Sequence, residues 1–200
     1  MNVASALSVV ARDRPDVTAV VCRSGRDAAG RPTHTRWSFQ RLDRESDVLA
    51  RGLSEIGIGR GVRTVLMVTP GLEFFALTFA LFKAGAVPVL IDPGMGVRNL
   101  GRCLAEAAPE AFIGIPRAQL AWRLLGWARH TLRTTVTVRP GGKARPTRPG
   151  RGVRHLSLAD VQALGESPDP FPAAATTAEE TAAILLTSGS TGPPKGAVYT

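Results

Sequence analysis

From Val62 to Val138, short apolar runs alternate with longer segments of helical spacing, and this alternation restricts the fold more than any other feature of the chain. The run "VRTVLMV" reads as a strand, "LEFFALTFALFKAG" as a buried helix ending at Gly85, "AVPVLI" as a strand and "VRNLGRCLAEA" as a helix. Then "AFIGI" reads as a strand, "PRAQLAWRLLGWA" as a helix opened by proline, and "RTTVTV" as a strand. Strand, helix, strand at this spacing demands crossover connections. The expected class is therefore α/β, with a mainly parallel sheet and crossover helices.

The flanks are read the same way. Residues 17–22 and 33–37 are expected to form a hairpin around a Gly/Asp-rich turn. A helix from Ser38 to Ile56 follows, with Leu42, Leu49, Leu53 and Ile56 on one stripe, Asp47 and Arg51 expected to pair at i,i+4, and Gly57 as the stop. The first residues suit a short amphipathic helix. Downstream, "LSLADVQAL" reads as a short helix, residues 164–180 as a Pro/Ala/Thr-rich connector, and "TAAILLT" as the strand that resumes the pattern.

Composition excludes several classes. A chain of 200 residues at 44% hydrophobic content can bury a sizeable core, so fibrous and disordered readings fall away. The formal charge is +9, and of 25 cationic residues all but Lys83, Lys143 and Lys195 are arginine. The distribution says more than the sum. Residues 139–154 carry six cations and no acid, broken by glycines and prolines. They read either as an arm for nucleic acid or an anionic surface, or as a basic flexible insert; with no aromatic side chain to stack on a base, the insert is favoured and no nucleic-acid partner is expected. Cys22 and Cys103 are too isolated for a disulfide framework, and His34, His130 and His155 make no metal-ligand spacing. No metal ligand is assigned. The most apolar stretch, Phe74 to Phe82, is far short of a bilayer span, and the N-terminus lacks a secretion leader, so a cytoplasmic protein is expected.

The segment with chemistry in it is "TSGSTGPPKG", directly behind the last strand, where open α/β sheets bind their ligands. Gly189 and Gly192 allow backbone conformations that point successive N–H groups into one concavity. Thr187, Ser188, Ser190 and Thr191 add hydroxyl donors. Lys195 adds a charge on a flexible stem, followed by Gly196, while Pro193 and Pro194 remove two N–H groups and stiffen the approach. Together these parts fit a phosphate clamp. A Walker A loop would need glycine where Pro194 stands and a hydroxyl residue after Lys195, so that motif fails. The dinucleotide fingerprint is met only weakly, because "GMGVRN" has asparagine in place of its third glycine. An ordinary surface turn would explain the glycines and prolines but not the lysine with so dense a set of hydroxyls.

At these ten residues the chain resembles the adenylate-forming (AMP-binding) superfamily of acyl-CoA synthetases, nonribosomal-peptide adenylation domains and luciferases. "WSFQRLDRESDVLARGL" and "LFKAGAVPVLIDP" resemble further segments of that superfamily, in the same order. The texture of residues 90–127 is most similar to the long-chain acyl-adenylating β-lactone synthetases of bacterial olefin biosynthesis.

The resemblance implies that residues 1–200 are the N-terminal portion of the large AMP-binding domain, incomplete by themselves and expected to show no turnover alone. It implies ATP-dependent activation of a carboxylic acid, a long-chain β-hydroxy fatty acid, as an acyl adenylate with release of pyrophosphate, followed by β-lactone formation or acyl transfer. Thr187, Ser188, Gly189, Ser190, Thr191, Gly192, Lys195 and Gly196 would bind the ATP phosphates, with Lys195 catalytic and Mg²⁺ accompanying ATP. Further enzymes of the same pathway are expected partners. Two alternatives stay open: an acyl-CoA ligase, and a nucleotide-binding module without turnover.

Overall fold

The computed structural model describes residues 2–92, 95–139, 152–187 and 195–200. In chain order the elements are α1 (Val3–Asp13), β1 (Thr18–Arg26), β2 (Pro32–Ser38), α2 (Phe39–Glu55), β3 (Arg63–Met67), α3 (Leu72–Lys83), β4 (Val87–Ile91) and α4 (Val97–Ala107). They continue as β5 (Ala111–Gly114), α5 (Pro116–Leu125), β6 (Thr134–Thr137), β7 (Arg154–Ser157), α6 (Leu158–Gly165), β8 (Ala183–Thr187) and β9 (Lys195–Tyr199). Seven strands form one sheet in the order β7-β6-β5-β3-β4-β8-β9. Every pair in it is parallel except β8 with β9. β1 and β2 make a separate antiparallel hairpin.

Strands β3, β4, β5 and β8 are covered on both faces, which is why they are apolar without alternation. Leu66, Ala111, Ile113 and Val136 point to one face, where Leu42, Leu49 and Leu53 of α2, Leu77 and Leu81 of α3, Leu7 of α1 and Val161 of α6 meet them. Val65, Val89, Phe112, Ile184 and Leu186 point to the other, against Leu100 and Leu104 of α4 and Trp122 of α5. The four-residue stripe read on α2 is buried as expected, each side chain at 5% exposure or less. Each such side chain contributes roughly 1.5–3 kcal/mol by leaving water. Ser38 caps α2, accepting from Arg41 N at 3.3 Å, and Gly57 follows with φ 84°, as a helix stop requires.

Helices α2 and α6 touch through glycines. A Cβ on Gly52 would lie 1.9 Å from Val161 O, and one on Gly165 would lie 1.8 Å from Val48 O. Nothing larger than glycine fits this crossing. The connector after α6 has no helix or strand before β8, yet it is tied to the helix layer. Ala174 N donates to Lys83 O at 2.8 Å, Asn2 Nδ2 donates to Phe82 O and Ala174 O, and Arg51 donates to Gly165 O and Asp169 O.

Four sequence expectations need correction. Asp47 does not pair with Arg51: it pairs with Lys83 across the α2–α3 contact, and Arg51 instead caps the end of α6. "LSLADVQAL" is not helical from its start, because Leu156 and Ser157 end β7, whose four residues join β6 in parallel register. β7 also takes in Arg154, the last residue of the basic segment, while residues 140–151 lie outside the described residues. Finally, β8 is not the last strand, since β9 adds an antiparallel edge.

Candidate active site

The parallel strands β3, β4, β5 and β8 end together at the carboxyl edge of the sheet. After β4 the chain stays attached to β8: Asp92 N donates to Leu186 O at 2.9 Å, one position beyond the Ile91–Leu186 pair. Met95 N then turns back to Asp92 O at 3.1 Å, and Gly96, at φ 72°, leads into α4. Met95, in the weak fingerprint segment, is thereby tied through Asp92 to the end of β8. In β8 Ala183, Ile184 and Leu186 are buried and Leu185 partly so, while Thr187 is exposed at its tip.

The antiparallel register sets Thr187 opposite Lys195 and Leu186 opposite Gly196. A Cβ on Gly196 would come within 3.3 Å of Leu186 Cδ2, so glycine lets β9 close against the apolar end of β8. The structure thus brings the two ends of the expected clamp, Thr187 on one side and Lys195 and Gly196 on the other, face to face at the ligand edge. Ser188, Gly189, Ser190, Thr191 and Gly192 lie outside the described residues.

A second lysine was not singled out for a role by the sequence. Lys83, at the end of α3, is fully buried, and its ammonium donates to Asp43 Oδ1 at 2.6 Å, to Asp47 Oδ1 at 2.5 Å and to Asp43 O at 2.9 Å. Ser8 Oγ donates to the same Asp43 oxygen at 2.9 Å, which draws α1 into the cluster. Burial pushes the Asp47 carboxyl above its ordinary pKa, although the bond from Lys83 works in the opposite direction. The available signal was a lysine ending an apolar helix, with two aspartates four residues apart on α2. This cluster lies where the strands begin, the edge opposite Thr187. It binds helices together.

The remaining titratable groups are peripheral. His155 shares a 2.6 Å contact with Thr135 Oγ1, and its pKa is lowered first by burial and then by the charge of Arg123. Both cysteines are free, and burial raises the pKa of the Cys103 thiol. Among the described residues no group of His, Cys, Asp and Glu is arranged to hold a metal ion, and no helix is long and apolar enough to cross a membrane.

The comparisons with known proteins fit this architecture. The model of the family described as "AMP-binding enzyme" matches residues 7–200. The chain belongs to the AMP-binding enzyme family. It is 50% identical over 207 residues to the olefin β-lactone synthetase of Xanthomonas campestris, covering 99% of this chain and 34% of that protein. It is 48% identical to the enzyme of the same description from Stenotrophomonas maltophilia, again over 99% of this chain and 34% of the relative. The chain thus spans about a third of the length of these curated AMP-binding relatives. Among solved structures, Mycobacterium smegmatis MbtA superposes with a TM-score of 0.72 at 28% identity, over 98% of this chain and 33% of that one. The anthranilate CoA ligase AuaEII superposes with a TM-score of 0.75 at 20% identity, over 99% and 34%, which shows the shared fold.

Proposed function

We propose that this chain contributes the phosphate-gripping part of an enzyme that activates a long-chain β-hydroxy fatty acid with ATP and closes it to a β-lactone in the cytoplasm. The observation that carries the reading is the hairpin register, which sets Thr187 opposite Lys195 at the carboxyl edge of a parallel sheet in an AMP-binding chain. The two relatives described as olefin β-lactone synthetases support the choice of a β-lactone as product.

The chemistry explains the residue types. A substrate carboxylate oxygen attacks the α-phosphorus of ATP, the bond from that phosphorus to the bridging oxygen breaks, and pyrophosphate leaves. Both reactants are anionic, so donors and positive charge aimed at the departing phosphates are needed. Between Thr187 and Gly196 the chain supplies four hydroxyl residues and Lys195, and no carboxylate that would repel the ligand. Mg²⁺ would travel on the phosphate oxygens and neutralise their charge. In the second step the β-hydroxyl oxygen attacks the activated carbonyl carbon, loses its proton, and AMP departs.

The test uses the complete protein with a long-chain β-hydroxy acid, ATP and Mg²⁺ and no coenzyme A. Pyrophosphate and a β-lactone are the expected products. A strict requirement for coenzyme A, with a thioester as product, would replace the lactone by ligase chemistry. ATP binding without pyrophosphate release would reduce the protein to a nucleotide-binding module.

A further inference from the structure

Residues 166–182, between α6 and β8, are the longest described stretch without a helix or strand. Connections of that length inside a compact fold are uncommon, and most are either loose or functional. This one is held along its course. A donor and an acceptor one turn apart on α2 grip its first half. The Arg51 guanidinium donates to Gly165 O at 3.0 Å and Asp169 O at 2.8 Å, and lies 5.8 Å from the centre of the Phe171 ring. The Asp47 carboxylate accepts from Phe171 N. Phe171 itself packs against the core cluster that joins α1, α2 and α3. Further on, Ala174 N donates to Lys83 O at 2.8 Å, and a Cβ on Gly85 would lie 2.8 Å from Ala174 Cβ, so glycine lets the strap pass. Glu180 then accepts from Arg60 at 2.9 and 2.6 Å.

The end of the strap is bonded to the β8–β9 hairpin. Ala182 N donates to Tyr199 O at 2.7 Å, at the close of β9, and the next residue, Ala183, begins β8. No slack separates strap from hairpin. The hairpin is otherwise tied to the sheet on one side: β9 is the edge strand, and β8 meets β4 through three register pairs, Val89–Ile184, Leu90–Leu185 and Ile91–Leu186. A segment held by several bonds that are lost together opens as a unit.

We propose that residues 166–182 and the β8–β9 hairpin form one cooperative unit latched by Arg51, so that opening the latch where the strands begin loosens the strands that carry Thr187 and Lys195 at the opposite edge. Arg51 is then a positioning residue, acting on the hairpin through the strap. A ligand that needs the hairpin in place would close the latch from a distance. That consequence alone rests on the phosphate-gripping role of the hairpin.

The experiment is hydrogen exchange on the full-length protein, read by mass spectrometry of its peptides. In Arg51→Ala, without ligand, amides of the strap and of β8 and β9 should exchange roughly ten- to a hundredfold faster than in the wild type, by a similar factor throughout, while β3 and β5 keep their rates. Phe171→Leu removes the ring beside Arg51 and keeps an apolar side chain; it should speed the same amides roughly two- to fivefold. Gln119→Ala cuts the bond from α5 to Val136 O and should leave them unchanged. With ATP at about ten times its Kd, wild-type exchange should slow about tenfold in strap and hairpin together. Circular dichroism checks folding, and if Arg51→Ala does not fold, Phe171→Leu carries the comparison. Faster exchange confined to the strap, with β8 and β9 unchanged, overturns the proposal. Equal acceleration of β3 and β5 also overturns it, since the loss would then be global. So does ATP that protects β8 and β9 but not the strap. If ATP protects neither while Arg51→Ala still opens both, the latch stands and the phosphate-gripping role falls.

Discussion

Lys83 and Lys195 stand at opposite edges of the same sheet, and their neighbourhoods differ in kind. At the edge where the strands begin, the protein surrounds Lys83 with its own oxygens: two aspartates and a carbonyl, with a serine hydroxyl behind them. At the edge where the strands end, the chain from Thr187 to Gly196 offers hydroxyls, glycines and Lys195, and no acid at all. A charge neutralised within the fold serves assembly. A lysine that follows four hydroxyl residues in the sequence, with its backbone on the edge where α/β sheets take ligands, fits the proposed role of meeting an anion that is brought to it. Local sequence context left Lys83 without a role, because a lysine that ends an apolar helix looks like an ordinary helix terminus; its tertiary position between Asp43 and Asp47 sets it apart.

The largest effect expected from this contrast is at Lys83. Lys83→Met leaves two largely buried carboxylates without their cation, and loss of about 3–5 kcal/mol of stability should follow, read by denaturant unfolding. The variant should regain stability as pH falls, because protonation removes the uncompensated charges. The wild type carries a weaker version of the same trend. Burial raises the Asp47 pKa in the folded state, so the folded protein binds that proton more tightly than the unfolded chain does. Its contribution is present at low pH and fades as pH rises from the ordinary carboxylate value through the raised one. A wild-type profile that is steeper than that of Lys83→Met would break the comparison.

Smaller effects sharpen it. Gly52→Ala forces a methyl onto Val161 O at the α2–α6 crossing, and an overpacking loss of about 1–3 kcal/mol is expected, measured the same way. The change should leave any ATP-dependent activity of the folded enzyme intact, since the crossing lies in the helix layer. Arg60→Ala should do least. Arg60 meets Glu180 through bonds of 2.9 and 2.6 Å and helps hold its pKa at about 2, yet both groups are solvated. The pair is present at neutral pH and is lost only as pH falls toward that value, so the neutral-pH thermal midpoint should move within measurement error.

Much of the architecture was legible because β3, β4 and β5 are apolar, β6 is rich in β-branched residues, and all are bounded by clear helix signals. β7 was hidden by its length and composition: Arg154–Ser157 has one strongly apolar residue, and only the open edge of β6 recruits it. β9 was hidden because it starts at Lys195 and Gly196, which read as part of the loop. The Asp47–Arg51 pairing was the sensible local choice, but Lys83 is buried beside Asp47 and has no water to solvate it, so tertiary desolvation outweighs a surface pair worth a few tenths of a kcal/mol. As for the proposed site, residue types and spacing point to Thr187 to Gly196, and the fold adds, at its two described ends, the register that sets Thr187 opposite Lys195.

The most direct test of the central claim is pyrophosphate release by the complete enzyme carrying Lys195→Ala, with its thermal midpoint measured alongside. If Lys195 acts on the phosphates of a bound ligand, adenylation should slow by roughly ten- to a thousandfold, the range for losing one preorganised electrostatic donor, while the midpoint stays near that of the wild type. A folded Lys195→Ala enzyme that binds ATP and releases pyrophosphate at the wild-type rate would contradict the claim.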